Sequence, residues 1–395
     1  MNLTRITDIL LDSMCEALSH NLMRIDNSLY SGKMGVAILF YNYAKFSKNE
    51  KYNELADKAI LNIVADIEYK NRGLALGISG IGWGLSYLTT NEYIDIDNDF
   101  IITRFNAPII HYSPTNIDLF HGQIGKGIYL CNRLQQLQKS EASFEATTIK
   151  IDIIRIINEI DINKENWMEE LRMYHFHEIE NLLKNGEVPH YYSILRDISQ
   201  SIIFLNKVYR LGIYPNVTTA LLKENVCKID FCLRLIEDHY YDKINSGNYS
   251  YLLDCLILEL SYALWLVSDL ELNPHNIFNK THIEGHISKI LNKGIHMNGG
   301  KYLFYTIRTI QSLIRVYHKT KKMAYKEDIG NLINAIFTPF VNEKKQFEMD
   351  LFNTYNLQDK WAGDYGLAGL SGLGLLLLSL QSDCYLNWDE AIGLS

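Results

Sequence analysis

A chain of 395 residues with 47% hydrophobic and 12% aromatic side chains can bury a large core, which excludes a disordered chain, a collagen-like repeat and a disulfide-stapled miniprotein. Its 38 Lys and Arg stand against 46 Asp and Glu, a net charge of −8. No basic run is longer than the Lys319 to Lys322 stretch, so broad binding to nucleic acid or to an anionic membrane is disfavoured. Cys15, Cys131, Cys227, Cys232, Cys255 and Cys384 show no C-x-x-C spacing. Neither a zinc ribbon nor a disulfide framework is legible, and the thiols are expected to be reduced and mostly buried.

Only six Pro occur, and apolar residues recur at i, i+3 and i+4 through most segments, so the expected fold is nearly all-helical. Met1 to Leu22 opens with Leu3, Ile6, Ile9, Leu10, Met14 and Leu18 on one face. Polar residues interrupt that stretch too often for a secretory segment, so a cytoplasmic protein is expected. Tyr52 to Ile67 repeats the pattern, and both are read as amphipathic helices packed from outside.

Internal self-similarity decides the domain count. Ser31-Gly-Lys-Met-Gly, Leu76-Gly-Ile-Ser-Gly and His121-Gly-Gln-Ile-Gly share a G-x-x-G core followed by an apolar helical run, and Gly32, Gly77 and Gly122 are equally spaced. Gly366 and Gly369 make a fourth copy. Between the third and fourth lies room for three weaker units, placed at Ser193 to Tyr209, Ser250 to Leu266 and Tyr302 to Tyr317, with the glycines gone. The apolar run Gly366 to Leu380 is shorter than the roughly 20 residues a membrane span requires, so it reads as a buried helix without membrane insertion.

Glycines at a helix start admit close approach of neighbouring backbone, and exposed N–H groups there can hold an anion. A ring of such inner helices alternating with charged outer ones closes into an α/α toroid. The repeat register also explains Gly80-Ile-Gly-Trp-Gly84 as packing rather than as a nucleotide loop, since no strand precedes it.

Four stretches carry a resemblance: Ser28-Leu-Tyr-Ser-Gly-Lys-Met-Gly-Val-Ala, Ile117-Asp-Leu-Phe-His-Gly-Gln-Ile-Gly-Lys-Gly-Ile-Tyr-Leu, Gly366-Leu-Ala-Gly369 and Trp388-Asp-Glu-Ala-Ile-Gly-Leu-Ser. In their order the chain resembles the lanthionine synthetase C-like family over essentially its whole length. The resemblance implies a single all-α domain over residues 1–395, an α/α toroid of about seven inner and seven outer helices. It also implies an activity: addition of a peptide Cys thiol to a dehydroalanine or dehydrobutyrine, with zinc held by two Cys and one His, and with an Asp and a His for proton traffic. Metal coordination supplies the thiolate that a free thiol of pKa about 8.5 provides only as a few per cent at pH 7.

The chain departs from that pattern where the chemistry lies. The family's W-C-x-G-D stretch matches Ser250-Tyr-Leu-Leu-Asp254, and its C-H-G stretch matches Leu303-Phe304-Tyr305, anchored by Arg315-Val-Tyr317. All three ligand positions are apolar or phenolic, so no metal and no cofactor is expected. The A-H-G segment matches Leu195-Arg196-Asp197, which replaces the His by Arg196, while the Asp of the third glycine motif is kept as Asp118.

Asp118, His121 and Arg196 are therefore the catalytic candidates, with a helix cap, a local hydrogen bond and a salt bridge to Asp197 as their plainer roles. Tyr251, Asp254, Tyr305 and Asp364 are the candidate peptide contacts, and the Tyr-rich stretches Tyr191-Tyr192, Tyr240-Tyr241, Tyr249 and Tyr251 either line a peptide groove or fill space. His282 and His286 share a helical spacing, but Gly285 between them and the missing third ligand favour a solvated face; His175 and His177 read as surface. Expected partners are a precursor peptide and a dehydratase or other modifying enzyme. Two other classes stay open: an inactive peptide-binding relative, and a toroidal enzyme acting on sugars through two carboxylates roughly 5 to 10 Å apart, such as Asp118 and Asp254.

Overall fold

Where apolar residues recur every three or four positions the chain forms helices, and these fall into two compact units. The computed structural model describes residues 3–137, 144–185, 190–246, 251–270, 284–285, 303–342, 346–356, 365–381 and 386–394. One unit is formed by Met1–Ser113 with Met297–Leu394, the other by Pro114–His296. Among the described residues the only extended pairing is an isolated bridge between Val341 and Phe347.

The first unit begins with α1 (Leu3–Asn21), α2 (Lys33–Ser47), α3 (Glu50–Ala65) and α4 (Ile78–Thr90). Every side chain of α2 from Met34 to Ala44 is buried, as expected of an inner helix, whereas α3 buries only Tyr52, Ala56, Ala59, Ile60 and Ile63 on one stripe. Asn49 caps α3 by accepting from the Lys51 N–H at 3.2 Å. The second unit holds α5 (Gln123–Leu137), α6 (Phe144–Asn185), α7 (His190–Arg210), α8 (Pro215–Ser246) and α9 (Tyr251–Val267). The chain then returns to the first unit with α10 (Leu303–Thr320), α11 (Met323–Phe337), α12 (Met349–Asn356) and α13 (Leu370–Gln381). The three degenerate repeats are thus real helices, α7, α9 and α10.

The glycines serve a capping device that repeats with the sequence. In each of the first three motifs a loop carbonyl seven residues back accepts the first helical N–H: Asp26 from Lys33 at 2.8 Å, Asn71 from Ile78 at 3.1 Å and Asn116 from Gln123 at 2.8 Å. The loop must lie against the intervening glycine. A Cβ on Gly77 would sit 2.5 Å from the Asn71 carbonyl oxygen, and one on Gly32 would overlap Asp26. These N–H groups are therefore satisfied internally, which corrects the expectation that they are open to an anion. The last motif differs: Gly366 to Gly369 form a turn, and the helix starts only at Leu370. That turn pairs with the first motif, through Leu367 N–H to Leu29 at 3.1 Å and Ala368 N–H to Tyr30 at 3.0 Å.

The terminal stretch after α13 is fastened into the same unit. Tyr30 Oη donates to the Ala391 carbonyl at 2.7 Å, Arg308 Nε to Ile392 at 2.8 Å, and Trp388 Nε1 to Ser379 Oγ at 3.1 Å. Asp389 is wholly buried and receives Arg315 Nε and Gln311 Nε2, each at 2.9 Å. Burial pushes its carboxyl up to about 6, against the opposing pull of Arg315 and Gln311. A carboxyl raised from its ordinary 3.8 in the folded state adds stability that is complete below about pH 4 and is lost as pH rises through 6. Asp389→Asn is accordingly expected to flatten the change of melting temperature across that window. An equally steep slope in the variant would assign the dependence elsewhere.

Candidate functional site

The site in the second unit is assembled around the loop that starts α5. Asp118 is half-buried, and its Oδ1 accepts from the Phe120 N–H at 2.7 Å and the His121 N–H at 2.8 Å. The carboxylate thus folds its own turn, while the Asp118 carbonyl faces Gly122, where a Cβ would meet it at 2.6 Å. Asp118→Ala is expected to lose about 1 kcal/mol of stability through this turn, and Asp118→Asn, which keeps an acceptor oxygen, much less. Chemical denaturation of the two variants separates capping from charge; equal losses in both would mean that the charge itself holds the turn.

The helix α7 packs on α5, α6, α8 and α9, and Phe204 of α7 fills the space left by the missing side chain of Gly127 on α5. That close approach brings the first turns of α7 to the Asp118 loop. The buried Arg196 lays its guanidinium over the Phe120 ring, 4.9 Å from the centroid. Beside it Asp197 is partly exposed, with Oδ1 buried and without a hydrogen-bond partner. Its carboxyl is pushed up to about 7: burial is the main cause, Arg196 opposes it, and the charges of Asp118 and of Glu259 on α9 add to it. Asp254 is buried in the first turn of α9.

Asp197 thus feels the charges of Arg196, Asp118 and Glu259, and the exposed His121 lies on the Asp118 loop with its ring 6.5 Å from that of Phe120. Asp197 and Glu259 were not singled out as site residues. The signal for Asp197 was its place one residue after Arg196, inside the segment matched to a catalytic His; Glu259 carries no motif. Tyr305 belongs to the first unit, half-buried on α10, its ring 5.9 Å from Phe304. Tyr251 opens α9, and its side chain lies outside the described residues, as do the side chains of Tyr191, Tyr192, Tyr240, Tyr241, His175 and His177. Asp364, Tyr249, His282, His286 and Cys384 lie outside them altogether. Cys15, Cys131, Cys232 and Cys255 are buried cysteines outside any disulfide, and Cys227 is exposed.

The described residues do not fit a zinc ion. Among the described residues no group of three or more His, Cys, Asp or Glu is placed to hold a metal. Phe304, at one matched ligand position, is buried hydrocarbon 5.3 Å from the Tyr30 ring, with the Arg308 guanidinium 5.9 Å from its own. Hard and soft donors are both missing there.

Residues 24–181 match the family described as lanthionine synthetase C-like protein. The match spans less than half of the chain, and the fold is of the all-α, α/α-toroid class. A solved nisin cyclase superposes with a TM-score of 0.59 at 12% identity, over 97% of this chain and 96% of that one. No curated protein matches the sequence. Among the described residues no helix is long and apolar enough to cross a membrane.

Proposed function

We propose that the chain is a metal-independent thioether-forming enzyme in the maturation of a ribosomally made peptide, acting as one domain on a dehydrated, Cys-containing precursor. The observation that carries this reading is Asp197, a carboxyl held near neutrality in a partly open site beside Asp118 and Arg196. The addition moves one proton. Asp197 takes it from the substrate thiol; sulfur bonds to Cβ as the Cα–Cβ π pair shifts to an enolate; Asp197 returns the proton to Cα. The Arg196 guanidinium, fixed over Phe120, is suited to the enolate oxygen, and Asp118 keeps the loop in place and raises the Asp197 carboxyl. His121 is kept with Asp118 and Arg196 among the catalytic groups, Tyr251, Asp254, Tyr305 and Asp364 are assigned to peptide contact, and a dehydratase in the same compartment, the cytoplasm, would supply the substrate.

The test is mass-spectrometric counting of free thiols in a dehydrated Cys-containing peptide. Loss of alkylatable thiol with wild type but not with Asp197→Asn supports the reading; equal loss in both overturns the role of Asp197. A second reading, peptide binding without turnover, is favoured by the hydrocarbon at Phe304, and it predicts retained peptide with every thiol still alkylatable.

A further inference from the structure

The first unit contains a cleft of about 1030 Å³ that none of the residues above explains. Its walls are the two loops that cap α2 and α4, from Ile25 to Lys33 and from Asp66 to Gly77, closed by Tyr112. Because those loops spend their carbonyls on helix N–H groups, their side chains are turned to other uses. Lys33 and Arg72 are half-buried and Lys70 is exposed, and none of the three makes an ion pair among the described residues. Lys33 Nζ donates only to the neutral Asn27 Oδ1, at 3.0 Å, and the Arg72 guanidinium stands 5.9 Å over the Tyr112 ring. The acidic residues of the cleft, Asp26, Asp66 and Glu68, are all exposed, and Asp26 Oδ1 is engaged by the Ser28 N–H at 2.6 Å. Positive charge therefore lies deeper and negative charge at the rim.

We infer that this cleft binds a peptide segment through one carboxylate, which enters between Lys33 and Arg72. The volume is at the upper end of ligand pockets, far larger than a simple anion needs. Three rim carboxylates repel a dianion such as phosphate, whereas a peptide offers one carboxylate inward and neutral or positive groups outward. Leu76, 45% exposed, and the adjoining Ile25 and Ile81 give that segment an apolar contact. The inference rests on the reading of the chain as a peptide-handling protein, and it adds a place where part of the peptide is held away from the residues that do the chemistry.

The experiment is equilibrium dialysis of the full chain against a library of N-acetylated, C-amidated octapeptides, each with a single Glu, and the matching library with Gln, read by mass spectrometry. The Glu peptides are expected to be retained by wild type about tenfold more tightly than their Gln counterparts, and K33Q/R72Q is expected to erase the difference. Both substituted side chains are partly exposed, and an unchanged melting temperature checks the fold. Equal retention of the two libraries, retention undiminished in K33Q/R72Q, or displacement by inorganic phosphate overturns the cleft. Retention that survives K33Q/R72Q but disappears in Arg196→Gln overturns the cleft while leaving the peptide reading intact. No retention by wild type overturns both.

Discussion

Thiol addition by the Asp197→Asn variant is expected to fall by at least about a hundredfold, with the levelling near pH 7 lost and the remaining rate following the substrate thiolate toward pH about 8.5. The reasoning is one of matched proton affinities. A free cysteine thiol loses its proton near pH 8.5 and an ordinary Asp near 3.9, so transfer from one to the other is uphill by about 6 kcal/mol. At about 7, where burial and the neighbouring carboxylates hold Asp197, the climb is about 2 kcal/mol. The shift makes the protonated form a weaker acid than an ordinary Asp, yet it stays far more acidic than the α-carbon, so returning the proton to Cα remains downhill. Wild-type kcat/KM is accordingly expected to rise about tenfold per pH unit up to about 7 and then to level, since the carboxylate must be free to accept. Asn at this position can do neither step.

Stability provides the control for that variant. Asp197 is raised from its ordinary 3.8 in the folded state, so its contribution to stability is complete below about pH 4 and is lost as pH rises through 7. Asp197→Asn is expected to melt no lower than wild type at pH 8, where the buried carboxylate is a cost. Lost turnover with an undiminished melting temperature would assign the effect to proton transfer; lost turnover with unfolding would not. A pH–rate profile in the variant that still levelled near 7 would give the titration to another group.

Gly122→Ala is expected to destabilise the protein by about 3 kcal/mol. A Cβ there would lie 2.5 Å from the Asn116 carbonyl oxygen, 2.5 Å from the Asp118 nitrogen and 2.6 Å from the Asp118 oxygen. All three are main chain. Relief requires the loop to retreat, which lengthens the Gln123 to Asn116 bond of 2.8 Å and disturbs the turn that Asp118 holds. Gly84→Ala meets instead the flexible end of Met34 and should cost less, and Gly285→Ala meets nothing within 4 Å and should be near neutral. Urea unfolding of the three variants checks the ranking. Gly122→Ala as stable as Gly285→Ala would mean that the capping carbonyls do not hold the helix starts.

The glycine spacing was legible because each motif has to make the same close approach, and repetition writes one local constraint several times. Its partner was not legible. The capping groups are main-chain carbonyls of Asp26, Asn71 and Asn116, and a carbonyl leaves no trace in residue type. The helical nature of the degenerate repeats was readable from apolar periodicity in α7, α9 and α10 even without glycine. Asp118 was found through its motif, but its two hydrogen bonds to Phe120 and His121 follow from the turn rather than from the pattern. Asp197 stood in plain view beside Arg196. Its proton affinity depends on burial and on Glu259, which is brought near by the packing of α9 on α7, and no linear pattern encodes that.

The first unit is built from both ends of the chain, with the second carried as one uninterrupted stretch between them. Tyr30 reaches its acceptor at Ala391 across 361 residues of sequence, and Leu29 waits for Leu367 in the same way. During synthesis the second unit therefore has all of its own residues before the first can close, and α2 spends that interval with an apolar flank that α13 will later cover. Closing so long a loop is entropically slow. The consequence is an order of events: the nascent chain is most prone to aggregation late, after the Asp197 region has formed and before α13 covers α2.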